Sequence, residues 1–296
     1  MDSSRRDFLQ KSLVLSGSVL LPGWLWAAPK AQQRYQIAVI DLMILKRQKL
    51  SAFELTKEIG ADGLEVDMGG LGNRDTFDSK LADQEARQEF LDKAKETGLE
   101  ICSLAMTGFY AQSFATRPTY QQMVGDCLET CKAMGVKVAF LPLGIQGDLR
   151  QHPELRPAIV ERLKVVGAMA KKAGVVIGIE TALDAQGEVA LLKDIGSKHI
   201  QIYFNFSNPL KEGRDLISEL KILGKKRICQ IHCTDEDGVW LENNTRLNMP
   251  KVKATLDAMG WKGWLVIERS RDASLSPKMV KENFGANTRY MKSIFQ

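Results

Sequence analysis

The chain has 296 residues, 44% of them hydrophobic, which is enough to bury a substantial core, and its mixed composition is that of an ordinary globular protein. Its formal net charge of +5 is mild, and the basic residues are scattered among acidic ones with no cluster of interleaved aromatics, so nucleic acid is not an expected partner. Five cysteines, Cys102, Cys127, Cys131, Cys229 and Cys233, leave at least one thiol unpaired within the chain and show no zinc-ribbon spacing; they read as small buried apolar residues.

Residues 1–30 are set apart as an export signal, with the domain expected over 31–296. A charged start precedes an apolar run from Leu13 to Trp26, and small residues follow at Ala27 and Ala28. The run is broken by Pro22 and Gly23 and falls short of the roughly 20 residues a spanning helix needs. The charged part, Ser4-Arg5-Arg6-Asp7-Phe8-Leu9 followed by Lys11, resembles twin-arginine signals, which engage an export machinery that carries folded proteins to the periplasm. Cleavage near Ala28 would remove three basic and two acidic residues and leave a charge of +4.

From Tyr35 the chain alternates short apolar runs with amphipathic stretches. Eight runs read as strands: YQIAVIDLMI from Tyr35, GLEVDM from Gly63, EICSLAM from Glu100, VKVAFLPL from Val136, VVIGIETAL from Val175, IQIYFNF from Ile200, RICQIHC from Arg227 and GWLVIER from Gly263. Their near-continuous Val and Ile content fits strands covered on both faces. Between them lie helical patterns such as SAFELTKEIG and RPAIVERLKVVGAMAKKAG, which end in Gly just before the next strand. Ser51 is placed as an N-cap, with Glu54 completing a capping box. Cys127 and Cys131 share a helix face; Cys229 and Cys233, four apart in a strand, should point the same way.

Eight strand–helix units predict a (β/α)8 TIM barrel of the α/β class. A doubly wound sheet is the alternative, but no strand is followed by a G-x-G-x-x-G fingerprint. MGGLGNR after Asp67 reads as a loop over the barrel mouth.

A barrel of this kind builds its site at the C-terminal ends of the strands. Strand five ends at Glu180 with Thr181, strand six at Asn205 with Asn208, strand seven at His232 with Asp235, and strand eight at Glu268 with Arg269. Each Glu follows a strongly apolar run, where an unpaired charge is costly without a cation or hydrogen bonds. Singly, such residues are most often structural; four consecutive strands ending this way point to a site, and two carboxylates, one imidazole and amide oxygens could bind a divalent cation such as Mn²⁺, Mg²⁺, Co²⁺ or Zn²⁺. Of three histidines, His152 lies in a loop and His199 at the opposite end of the barrel, so a multi-zinc hydrolase is a poor fit. The absence of a G-x-S-x-G elbow argues against a Ser-His-Asp device.

In ADGLEVDMGG, KAGVVIGIET, YFNFSNP, LGKKRICQIHCTDEDG and KGWLVIE the chain resembles the sugar phosphate isomerase/epimerase group of the xylose isomerase-like TIM barrels, across nearly the whole mature chain. That resemblance implies a divalent metal held by Glu180, Asn205, His232 and Glu268, with Glu180 and Glu268 also the acid/base pair on either side of a sugar. It further implies substrate contacts from Glu65, Asn208 and Asp235. The chain carries Asn205 where the family usually has Asp, and Thr234-Asp235 where Lys-Asp is common. The implied chemistry is removal of a proton next to a carbonyl and stabilisation of the enediolate. Export favours an unphosphorylated sugar or glycoside. A 3-keto-glycoside lyase, which eliminates after the same proton abstraction, and a non-catalytic carbohydrate-binding barrel are the competing readings.

Overall fold

The computed structural model describes residues 34–70 and 74–296. The expected export signal lies outside them, as does part of the MGGLGNR loop. Eight parallel strands close in sequence order, β1 (Tyr35–Ile40), β2 (Gly63–Asp67), β3 (Glu100–Ala105), β4 (Val138–Pro142), β5 (Val176–Glu180), β6 (Ile200–Asn205), β7 (Ile228–His232) and β8 (Gly263–Ile267), with β8 returning to pair with β1. The (β/α)8 fold is therefore present, and every strand points its C-terminal end at one mouth.

Helices α1 (Ser51–Ile59), α2 (Gln84–Thr97), α3 (Tyr120–Met134), α4 (Arg156–Ala173) and α5 (Ala185–Ile195) follow the first five strands. Two short helices, α6 (Ser207–Lys211) and α7 (Leu216–Leu223), fill the next crossover, and α8 (Met249–Met259) and α9 (Val280–Phe295) complete the ring. The terminal glycines act as predicted: Gly98 and Gly174 adopt φ of 73° and 68°, and their N–H groups cap carbonyls of the last turn. Among the described residues no helix is long and apolar enough to cross a membrane.

Two layers of apolar residues hold the barrel. The larger, including Ile37, Leu64, Leu104, Ile177, Ile202 and Ile231, lies between strands and helices. A smaller one, built on Ala38, Ile40, Phe140, Tyr203 and Val266, fills the interior of the barrel.

Two local expectations fail. Ser51 is the first residue of α1 rather than its cap; Leu50 stands at the cap position in a helical conformation with no side-chain cap bond. Cys229 and Cys233 do not share a face. Pairing with β6 passes from Ile202↔Ile228 to Tyr203↔Gln230, leaving Cys229 as the extra residue of a bulge. Cys229 packs against the inner layer and Cys233 belongs to the outer one. Cys127 and Cys131 are both fully buried on α3.

Candidate active site at the barrel mouth

Strands β5, β6 and β7 end on Glu180, Asn205 and His232, and Glu268 follows β8 directly, so four consecutive strands deliver the side chains to one place. Asn205 stands at the centre. Its Nδ2 donates to Glu180 Oε2 at 3.2 Å and to Glu268 Oε2 at 3.0 Å, so both carboxylates face one amide group. Its Oδ1 turns away from them and accepts from the Ser207 backbone N–H and hydroxyl, each at 2.9 Å. The chain bends into α6 at this point, which brings that N–H back over the Asn205 side chain.

His232 is 1% exposed, with Nδ1 3.0 Å from Glu180 Oε2 and Nε2 3.5 Å from Glu65 Oε1. The rings of Tyr203 and Phe140 wall it in, with centroids 4.3 and 4.9 Å away. Burial alone would push the imidazolium toward losing its proton, but the Glu180 and Glu65 hydrogen bonds and the charge of Glu268 outweigh it and raise the pKa to about 10.

The expected sugar contacts separate. Asn208 lines the mouth, its Nδ2 donating to the Thr181 carbonyl at 2.9 Å. Glu65 does not reach the mouth. It sits in mid-strand at 0% exposure, with Oε2 accepting from Ser103 at 2.7 Å and Tyr203 at 2.8 Å, so it braces His232 from below. Asp235 is occupied as well: Arg246 Nε and Asn244 Nδ2 donate to its Oδ2 at 2.8 and 2.9 Å, and Arg246 Nη2 donates to Oδ1. A carboxylate so engaged orders the β7 loop rather than meeting a substrate.

A cavity of about 500 Å³, within the range of small-ligand sites, opens beside this cluster, and of the four strand-end residues Glu180 lines it. Glu180, Thr181, Asn208 and Lys211 line one side, and Tyr110, Leu143, Ile145 and Leu149 form a more apolar wall. The ends of β1 and β2 add nothing to it. There Arg47 pairs with buried Asp67 at 2.7 Å, while Thr107 donates to Asp67 and Gln48 N–H to Asp41, closing that half of the mouth.

Two lining residues had no role from sequence. Tyr110 ends a short 3-10 turn after β3, with its hydroxyl 3.5 Å from Glu180 Oε1. Burial first, then the charges of Glu180 and Glu268, push its pKa well up, so the phenol remains an O–H donor. Arg269 borders the same cavity with Nη2 3.5 Å from Glu268 Oε1, and the adjacent carboxylate strengthens its hold on its proton. Its backbone N–H is held by Thr234 Oγ1 at 3.0 Å. The next residue, Ser270, takes a left-handed φ of 65°, tied down by Asn287 and Asp235.

The resemblance implies a divalent ion at these atoms. Glu180 meets both His232 and Asn205, and Glu268 meets Asn205, but the atom between the two carboxylates is an amide nitrogen whose lone pair is delocalised into its carbonyl and whose hydrogens point at the carboxylates. Among the described residues no group of three or more His, Cys, Asp or Glu side chains is arranged to hold a metal ion. Asn205 as placed is a donor, not a ligand, and the set does not fit a cation.

The class is that of a closed (β/α)8 barrel with two glutamates, a histidine and an asparagine at its C-terminal mouth. Residues 53–293 match the family model for the xylose isomerase-like TIM barrel, and the chain belongs to that family. A 2-epi-5-epi-valiolone 7-phosphate 2-epimerase from Actinoplanes sp. is 25% identical over 177 residues, 58% of this chain and 63% of that relative. Among solved structures, a 3-keto-D-glucoside 4-epimerase from E. coli superposes with a TM-score of 0.67 at 18% identity, covering 88% of this chain and 99% of the other. A D-psicose 3-epimerase from Clostridium cellulolyticum H10 gives 0.68 at 14% identity, covering 88% and 99%.

Proposed function

We propose that this protein is a sugar isomerase or epimerase that moves a proton at a carbon next to a carbonyl. The observation that carries the reading is the pairing of Glu180 and Glu268 about Asn205, which holds two carboxylates on one amide beside a sugar-sized cavity that Glu180 lines. In the reaction one glutamate takes the proton as the C–H bond breaks, and the electron pair moves onto the carbonyl oxygen to give an enediolate. The other glutamate, in its acid form, returns a proton to the opposite face. Arg269 and the Tyr110 hydroxyl border the cavity where charge develops, and hydrogen bonds from both would stabilise it. Asn208 and Lys211 supply donors for sugar hydroxyls.

The substrate is proposed to be an unphosphorylated sugar or glycoside, met in the periplasm after export by the twin-arginine route. The likeness to a barrel that acts on a 3-keto-D-glucoside supports a 3-keto sugar. A second reading, elimination of an aglycone after the same proton abstraction, is favoured by the apolar wall beside Glu180, where Ile145 is 77% exposed on the rim. Incubation with 3-keto-glucosides and free ketohexoses, followed by NMR, separates the two. Appearance of an epimer or isomer supports the first reading, release of the aglycone supports the second, and recovery of every compound unchanged contradicts both.

A further inference from the structure

We propose that the Asn205 amide takes the place of a divalent ion in this barrel, holding Glu180 and Glu268 as a pair of bases, and that Arg269 is the cation that faces the developing oxyanion. The inference rests on the proton-transfer reading above for its chemistry, and on the orientation of one amide for its structure.

That orientation is set by the backbone. An N–H group only donates, so the Asn205 atom 2.9 Å from the Ser207 N–H must be the oxygen. The Ser207 hydroxyl, at the same distance, donates to that oxygen too. The nitrogen is thereby aimed at the site, and its two hydrogens meet two acceptors, one on Glu180 and one on Glu268. With Asn205 only 3% exposed, turning the amide over would set its NH₂ against the Ser207 N–H, two donors in contact with no water to relieve them. A carboxylate at this position escapes the conflict, since one oxygen can accept from Ser207 while the other faces the glutamates. An amide cannot serve both.

The substitution changes the chemistry of the pair. An ion would bind both glutamates as ligands; a neutral amide holds each in place through a single hydrogen bond. Loss of the ion also leaves the enediolate in need of a positive charge not already held in a short ion pair, since His232 is buried against Glu180 and Glu65, Lys211 pairs with Glu236, and Arg150 pairs with Asp148 and Glu212. Arg269 supplies it: its guanidinium borders the cavity, its one side-chain partner among the described residues is Glu268 at 3.5 Å, and Thr234 and Ser270 fix its backbone.

The test begins with metal content. Protein purified without chelator is measured by inductively coupled plasma mass spectrometry, and wild type and Asn205→Asp are titrated with Mn²⁺ by calorimetry, with thermal unfolding to confirm that both are folded. The wild type should carry no stoichiometric divalent ion, and Asn205→Asp should bind Mn²⁺ at least about tenfold more tightly. A wild type holding about one ion per chain, or equal Mn²⁺ affinity in the two proteins, overturns the proposal. Solvent-deuterium exchange into keto-sugars then tests the chemistry. Exchange that persists in EDTA and falls at least about a hundredfold in Arg269→Gln supports the proposal. Exchange that needs added Mn²⁺, or is unaffected by Arg269→Gln, overturns it. If exchange is absent under all conditions the proton-transfer reading fails, and the metal measurements still decide the role of Asn205.

Discussion

The Tyr203 hydroxyl donates to Glu65 Oε2 at 2.8 Å across the barrel interior, tying β6 to β2. Ser103 supplies the second donor to that oxygen, and Glu65 Oε1 faces His232 Nε2. Glu65 therefore acts below the site, keeping a buried carboxylate under the imidazole. Tyr203→Phe removes one hydrogen bond to a fully buried charge and should lower stability by about 1.5–3 kcal/mol, read as a reduced urea midpoint with an unchanged slope.

Glu180→Gln and Glu268→Gln keep the shape of the pair and remove its basicity. Each should slow proton exchange on a competent substrate by about 10² to 10⁴-fold. Thermal unfolding of both variants should stay close to wild type, because the Asn205 amide can still donate to the remaining side-chain oxygen.

Asp235 is 2% exposed and depends on Arg246 and Asn244 for its partners. Arg246→Ala should destabilise the protein by about 1–3 kcal/mol, less than loss of a fully buried pair because the arginine side chain is 45% exposed and water can take its place. Asp235→Asn, by contrast, should leave sugar affinity nearly unchanged, since no free oxygen of Asp235 is offered to the cavity. Calorimetric unfolding and ligand titration check the two outcomes.

Glu188 on α5 is 3% exposed and accepts from Thr181 Oγ1 at 2.7 Å. Burial raises its carboxyl to about 8, only partly offset by the Thr181 bond. A folded pKa raised above the unfolded value means that stabilisation is fully present below about 4.5 and is lost as pH rises through 8. Glu188→Gln mimics the neutral acid. The variant's stability should therefore track wild type below about pH 4.5, gain on it by up to about 1.4 kcal/mol per pH unit as pH rises from there toward 8, and hold that lead above 8. A constant difference across that range would show that Glu188 does not titrate there.

Much of the site could be read from the chain because a barrel converts one-dimensional order into convergence: an apolar run followed at once by Glu180, Asn205, His232 or Glu268 places each at the same mouth. What could not be read depends on partners distant in sequence or on backbone direction. Glu65 looks like a strand-end residue in GLEVDM, yet β2 runs on to Asp67 and leaves it in mid-strand. Asp235 follows His232 at a plausible distance, but the arginine that occupies it arrives eleven residues later from an irregular loop. Tyr110 comes from a 3-10 turn with no periodic signal. Asn205 was legible as a position and not as a donor, since only the Ser207 N–H decides which end of the amide faces the glutamates.

The most direct test of the account is wash-in of solvent deuterium at the carbon next to the carbonyl of 3-keto-glucosides and ketohexoses, followed by NMR in wild type and Glu180→Gln. The account predicts exchange by the wild type on at least one of these compounds and its loss in the variant. Exchange by neither protein on any of them, with or without added divalent ions, or equal exchange by both, would contradict it.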